Sequence, residues 1–327
     1  MYKSKLDLID TEKGIKIVKD TFEKELAKNL DLLRVSAPLF VSNKSGLNDN
    51  LNGIERPVSF EIKGYNDEIE IVHSLAKWKR LALKNYNIPL EKGIYTDMNA
   101  IRKDEDLDEL HSIYVDQWDW EKHISNEDRK IPYLKQTVRK IYKAILKTQK
   151  VILSAYPTLN PVFSDDLTFI TSKELLDIYP TLTSKERENL ITKKYGSVFI
   201  IGIGSTLKNG LPHDGRAPDY DDWNLNGDLL TYYEPLNKAV EISSMGIRVN
   251  KESLIKQLKK TNKLDRLDYP FHKMLVNEQL PLSIGGGIGQ SRLCLLFLNK
   301  VHIGEVQSSI WSEDIIKECD EKNIKLL

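Results

Sequence analysis

Strand-like stretches follow one another along this chain across turns too short to hold a crossover helix. Gly93 to Ile101 and His111 to Trp118 flank the charged segment Arg102 to Glu109, which reads as a solvated hairpin loop. Asp228 to Tyr233 and Ala239 to Ser243 repeat the arrangement, and Pro57 to Ile62 and Glu68 to His73 add another pair. Parallel neighbours need longer connections than these. The pattern predicts an α+β fold with an antiparallel or mixed sheet, not alternating βαβ units. A further run, Ser197 to Gly204, reads as a buried strand, and Leu32 to Val41 as an extended segment that Pro38 confines to an edge or interface.

Helices fill the remainder. Ile15, Val18, Phe22, Leu26 and Leu30 recur every three or four residues, which predicts a helix over Thr11 to Leu30. Val138, Ile141, Ile145 and Ile152 mark a second over Tyr133 to Ala155, ended by Pro157 and Pro161. Ser74 to Tyr86, Ser184 to Tyr195, Lys251 to Thr261 and Gln290 to Leu298 read as shorter ones, and Ser42 to Asn52 as a polar loop. No repeat or low-complexity linker divides the chain, so one domain is expected over residues 1–327. The 48 basic and 48 acidic residues cancel, which argues against a polybasic nucleic-acid surface. Two cysteines, Cys294 and Cys319, exclude a disulfide framework; the first sits among leucines and the second in a charged segment. No apolar leader and no run near the roughly 20 apolar residues of a membrane span is present, so a cytoplasmic protein is expected.

Several groups of residues carry chemistry. Gly285-Gly286-Gly287-Ile288-Gly289-Gln290 fails the dinucleotide fingerprint, because Gln290 stands where glycine is needed. It leaves glycines opening a helix with Arg292 one turn inside, suited to a flat or anionic ligand; a tight turn against the helix is the competing reading. Arg102 ends a strand, and Arg248 follows a Ser243-Ser244-Met245-Gly246 turn; arginine's planar fork suits phosphate oxygens. Asp228 and Glu241 lie on apolar strands, where unpaired charge is costly, and two such carboxylates can share a magnesium ion. Asp219, Asp221 and Asp222 read either with them or as a capped, solvated loop. Trp78, Trp118 and Trp120 belong in a core or interface, which turns Lys79, Gln117 and Asp119 toward a pocket on the other side. His73 and His111 lack metal spacing and read as hydrogen-bonded structural residues. The residues alone thus lead to a nucleotide-phosphate site with magnesium beside a small polar pocket.

In register and in order, VHSLAKWKR, HSIYVDQWDW, RAPDYDDW, NGD, SSMGIRV and GGGIGQSR resemble the ammonia-dependent asparagine synthetases (aspartate–ammonia ligases, asparagine synthetase A), relatives of the class II aminoacyl-tRNA synthetases. The resemblance implies a class II synthetase-like core, a mostly antiparallel sheet flanked by helices, and a homodimer formed through the segment around Leu30 and Pro38. It implies that ATP and L-aspartate give a β-aspartyl-adenylate, which ammonia converts to L-asparagine and AMP. It gives Arg102 to the α-phosphate and reacting carboxylate, Arg248 and Arg292 to the nucleotide, and Ser112, Ser243 and Ser244 to ATP. Asp228 and Glu241 would hold Mg²⁺. Asp49, Lys79, Gln117, Asp119 and Asp221 would form the amino-acid pocket, with Asp49 or Asp221 receiving the proton that ammonia sheds. Trp223 to Gly227 would be a short connection. Two rivals stand beside this reading: an aspartyl- or asparaginyl-tRNA synthetase-like enzyme, which makes the same kind of adenylate and normally adds an anticodon-binding domain, and a catalytically silent amino-acid-sensing relative. A glutamine-dependent synthetase would need a nucleophilic cysteine where Tyr2 stands.

Overall fold

The computed structural model describes residues 2–49 and 55–327. The chain opens with α1 (Leu8–Leu30), capped by the Asp7 side chain and stopped by Asp31 in the left-handed region. Short strands β1 (Leu32–Arg34), β2 (Phe40–Ser42), β3 (Ser59–Phe60) and β4 (Ile69–Ile71) follow, then α2 (Ala76–Asn85) and the hairpin β5 (Gly93–Ile101) and β6 (Tyr114–His123). After α3 (Ile131–Ala155) come β7 (Leu167–Thr171), α4 (Ser172–Ile178), α5 (Ser184–Tyr195) and β8 (Ser197–Ile201). The long hairpin β9 (Asp221–Tyr233) and β10 (Lys238–Arg248) leads to α6 (Lys251–Lys260) and α7 (Pro270–Val276). Strand β11 (Ser283–Gly289), α8 (Gln290–Phe297) and α9 (Glu313–Lys322) complete it.

Eight strands form one sheet in the order β1-β5-β6-β11-β10-β9-β8-β7, and β2-β4-β3 form a small second sheet. The five inner pairings of the large sheet are antiparallel; only β1 with β5 and β7 with β8, at its two edges, are parallel. The expected α+β architecture is the one observed. Trp118 and Trp120 of β6 join Phe22 of α1 and Val138, Ile141 and Ile145 of α3 in the main core, with the Phe22 and Trp118 rings 4.9 Å apart. That core lies on one face of the sheet. Among the described residues no helix is long and apolar enough to cross a membrane.

Several expectations give way to the structure. The Ser243–Gly246 stretch is not a turn but the interior of β10, and Trp223–Gly227 is not a connection but the interior of β9. The glycines 285–289 form β11 in the middle of the sheet instead of a turn, because side chains crossing from β6 and β10 need the space that a Cβ would take. Strand β6 begins at Tyr114, leaving His111 and Ser112 in the preceding loop, and runs on to His123. Elements β7, α4, α7 and α9 have no counterpart in the sequence reading. Cys319 is buried despite its charged neighbours.

Candidate active site

Strand alternation builds one wall of the site. With Trp118 and Trp120 in the core, the period of two turns Gln117, Asp119 and Glu121 to the opposite face. There they stand across from Gly289, Gly287 and Gly285 of β11, their register partners. A Cβ at Gly287 would lie 2.3 Å from Gln117 Oε1 and 2.6 Å from Asp119 Oδ1. One at Gly285 would lie 2.0 Å from Glu121 Oε2 and 2.6 Å from Arg248 Nη2. The glycines are therefore the floor over which these polar groups lie.

A cavity of about 370 Å³ opens on this face. It brings together Asp49, Lys79, Arg102, Ser112, Gln117, Asp119, Asp221, Glu241, Ser243, Ser244, Arg248 and Arg292, drawn from five elements and two loops. Asp228 alone of the expected residues does not line it; it lies behind Ser244 and Arg216.

One end is densely charged and buried. Lys79 Nζ is 3.1 Å from Asp119 Oδ2 and donates to Gly286 O at 2.9 Å. Burial and the nearby Arg248 push the Lys79 ammonium below its ordinary range, with Asp119 and Glu121 opposing. Arg248 donates through Nε and Nη2 to Glu121, at 2.9 and 2.7 Å, and through Nη1 to Asp221. Burial would depress Arg248, but those two carboxylates hold it above the ordinary range. Its fork thus engages carboxylates beside Lys79. Asp219, Asp221 and Asp222 are equally far from a solvated loop: all three are buried and ion-paired, Asp222 with Arg129 at 3.1 Å.

The other end is more open. Arg102 follows β5 directly; its nearest acidic partner, Glu105, is 3.8 Å away, and its Nε has no hydrogen-bond partner among the described residues. Arg292 reaches back from α8 to donate to Glu241 O at 3.0 Å. Ser112 Oγ is 2.8 Å from Ser309 Oγ, and Ser243 Oγ donates to Gly287 O at 2.7 Å. A register shift between Glu241 and Ser243 breaks the alternation of β10, so that Glu241 and Ser244 share a face. Ser244 Oγ then lies 2.9 Å from Glu241 Oε1 and 2.8 Å from Asp228 Oδ1. Burial, with Glu241 adding to it, pushes the Asp228 carboxyl up to about 6 against the pull of Arg216. Asp228 and Glu241 are thus two hard oxygen donors around one hydroxyl, of the kind magnesium takes, with Arg216 already paired to Asp228. His73 Nδ1 lies 3.2 Å from Asp49 O and His111 Nδ1 2.8 Å from Asp108 Oδ1, the structural roles expected of them. Cys294 is buried in the main core, and burial pushes its thiol up to about 12.

The AsnA family model, described as aspartate-ammonia ligase, matches residues 9–323. The chain belongs to this family. Aspartate–ammonia ligases of Clostridium perfringens (strain SM101), Clostridium tetani and Fusobacterium nucleatum are 61%, 60% and 59% identical to it. Each comparison covers 100% of this chain and 96% to 99% of the relative. The fold is that of class II tRNA synthetases. The Entamoeba histolytica asparaginyl-tRNA synthetase in complex with asparaginyl-adenylate superposes with a TM-score of 0.64 at 15% identity, over 92% of this chain and 66% of that one. The asparaginyl-tRNA synthetase from Pyrococcus horikoshii complexed with asparaginyl-adenylate gives 0.59 at 15% identity, over 91% and 68%.

For an aspartate–ammonia ligase, three residues of this site escaped the sequence reading. Arg216 is buried, ion-pairs with Asp228 and lies 3.8 Å from Asp221. Its signal was its place at the head of RAPDYDDW, a lone cation before an acidic run. Glu121, the partner of Arg248, continues the Gln117, Asp119 alternation by one more step. Tyr220 lines the cavity between them, and nothing in its sequence surroundings marks it.

Proposed function

We propose that this chain synthesises L-asparagine from L-aspartate, ammonia and ATP through a β-aspartyl-adenylate, as one catalytic domain. The division of a single cavity into a buried, mixed-charge end and an open, arginine-bearing end supports the reading: it suits a zwitterion at one end and a polyphosphate at the other. A carboxylate is a poor electrophile, because no oxygen on it is a good leaving group. Adenylation cures this. A β-carboxylate oxygen of aspartate attacks the α-phosphorus, the bond to the β-phosphate breaks, and pyrophosphate leaves. Ammonia's nitrogen then attacks the acyl carbon, the carbon–oxygen bond to AMP breaks, and the nitrogen sheds a proton.

Lys79 pairs with a substrate carboxylate in this reading, and Asp119, Asp221 and Gln117 receive the α-ammonium. Arg248 orients Asp221 instead of gripping the nucleotide, because its donors are already engaged. Arg102, with donors to spare, takes the α-phosphate and the attacking carboxylate, and Arg292 lies against the nucleotide. Ser112, Ser243 and Ser244 complete the ATP contacts, and Asp49 or Asp221 accepts the proton. Asp228 and Glu241 would hold Mg²⁺, which neutralises phosphate charge when bound. A homodimer is supported by exposed apolar side chains on edge strand β1 and at the start of β2: Leu33, Leu39 and Phe40 are 60%, 48% and 43% accessible. The adenylate is tested by exchange of labelled pyrophosphate into ATP with L-aspartate and without ammonia. Aspartate-dependent exchange in wild type, lost in Arg102→Ala, is expected; undiminished exchange in that variant would remove the phosphate clamp from the account.

A further inference from the structure

Asp219 is fully buried, lies outside the cavity, and gathers two cations and an imidazole from three parts of the chain. Its Oδ2 is 3.2 Å from Lys77 Nζ of α2, 2.8 Å from Arg266 Nη1 of the turn before α7, and 2.9 Å from His272 Nε2 of α7. None of these four side chains touches the proposed substrates, so the chemistry above leaves them unexplained. Their connections lead to the amino-acid end of the site. Lys77 Nζ also donates to Asn48 O at 2.8 Å, and Asn48 immediately precedes Asp49. Asn48 Oδ1 accepts from the Asp49 and His73 amides, both at 2.9 Å, so that loop is held from either side. The same loop packs on the residue before α7, where a Cβ on Gly46 would come within 2.6 Å of Tyr269 Cβ. Along the chain, Asp219 is two residues from Asp221, and Lys77 two from Lys79 on the same helix.

We infer that Asp219 is a positioning residue for the L-aspartate half of the site, fixing through Lys77 and Asn48 where Asp49 and Asp221 stand relative to Lys79. The inference rests on the proposed function, since it concerns the amino-acid end of that cavity. A buried carboxylate held by two cations and an imidazole resists displacement, because moving Lys77 or Arg266 strands a charge in the interior. It can therefore lock three chain segments at distances that loop flexibility alone would leave loose. Among the described residues no hydrogen bond or ion pair runs from these four side chains to Arg102, Ser112 or Arg292, which sets the ATP half apart from the cluster.

The test compares wild type with Lys77→Met, Lys77→Arg and Asp219→Asn in asparagine formation and in calorimetric binding of L-aspartate. Lys77→Met cuts the link to Asn48 while leaving Asp219 paired with Arg266 and His272, so it reports even where Asp219→Asn fails to fold. The expected result is a KM for L-aspartate and a dissociation constant raised about tenfold or more, with KM for ATP within about twofold, and recovery in Lys77→Arg. Unchanged L-aspartate parameters in a folded Lys77→Met, or both KM values rising together, would overturn the inference. Wild type that binds L-aspartate yet makes no asparagine would overturn the proposed reaction instead and leave the calorimetric comparison to decide this one.

Discussion

Buried charge is the costliest thing this chain folds, and it is concentrated where aspartate would bind. Glu121, Arg248 and Asp221 form a buried triad at the cavity wall. Removing one member leaves the others desolvated without compensation, so Glu121→Gln is expected to lower stability by about 3–5 kcal/mol in denaturant titration. A loss under about 1 kcal/mol would mean that water reaches the triad. Burial pushes the Asp219 carboxyl up, but Lys77, His272 and Arg266 hold it well below the usual carboxylate range. The group is thus depressed on folding: its stabilisation is fully present above the unfolded value of about 3.9 and is lost as pH falls below it. The stability gap between wild type and Asp219→Asn should accordingly stay flat from about pH 8 to about pH 5 and narrow only below about pH 4. A gap that widened as pH fell through neutrality would instead mean that Asp219 stabilises a protonated His272. Such clusters were illegible beforehand because Arg266 and His272 stand 47 and 53 residues beyond Asp219, while an acidic run looks the same solvated or paired.

At the scale of the element, legibility followed the side chains. The alternation of Trp118 and Trp120 with Gln117 and Asp119 disclosed both the core face and the pocket face of β6, because period two is written in side-chain chemistry. Strand β11 was hidden for the converse reason: Gly285 to Gly287 and Gly289 have no side chains in which a period can appear. The register shift in β10 was likewise invisible, though it alone puts Glu241 and Ser244 on one face. Gly287→Ala should therefore displace Gln117 and Asp119 and raise KM for L-aspartate about tenfold, with a smaller change for ATP; equal changes would show that the whole sheet had shifted. Thr183 caps α5, accepting from the Glu186 amide while Glu186 accepts from the Thr183 amide, and neither side chain lines the cavity. Thr183→Ala is expected to cost about 1 kcal/mol in thermal or denaturant unfolding with both KM values unchanged.

For the whole molecule, the adjacency of strands disclosed an antiparallel α+β sheet, while the order of eight strands rests on contacts no local pattern encodes. The apolar surface beside β1 predicts a dimer: Leu33→Asp should halve the mass seen by light scattering, and an unchanged mass would place the interface elsewhere. The central claim is tested most directly by incubating the purified protein with L-aspartate, ATP, Mg²⁺ and ammonium, without tRNA, and quantifying products. Free L-asparagine appearing one-for-one with AMP and pyrophosphate is the predicted result. ATP consumed with aspartate but no free asparagine formed would contradict it and point to another acceptor for the adenylate.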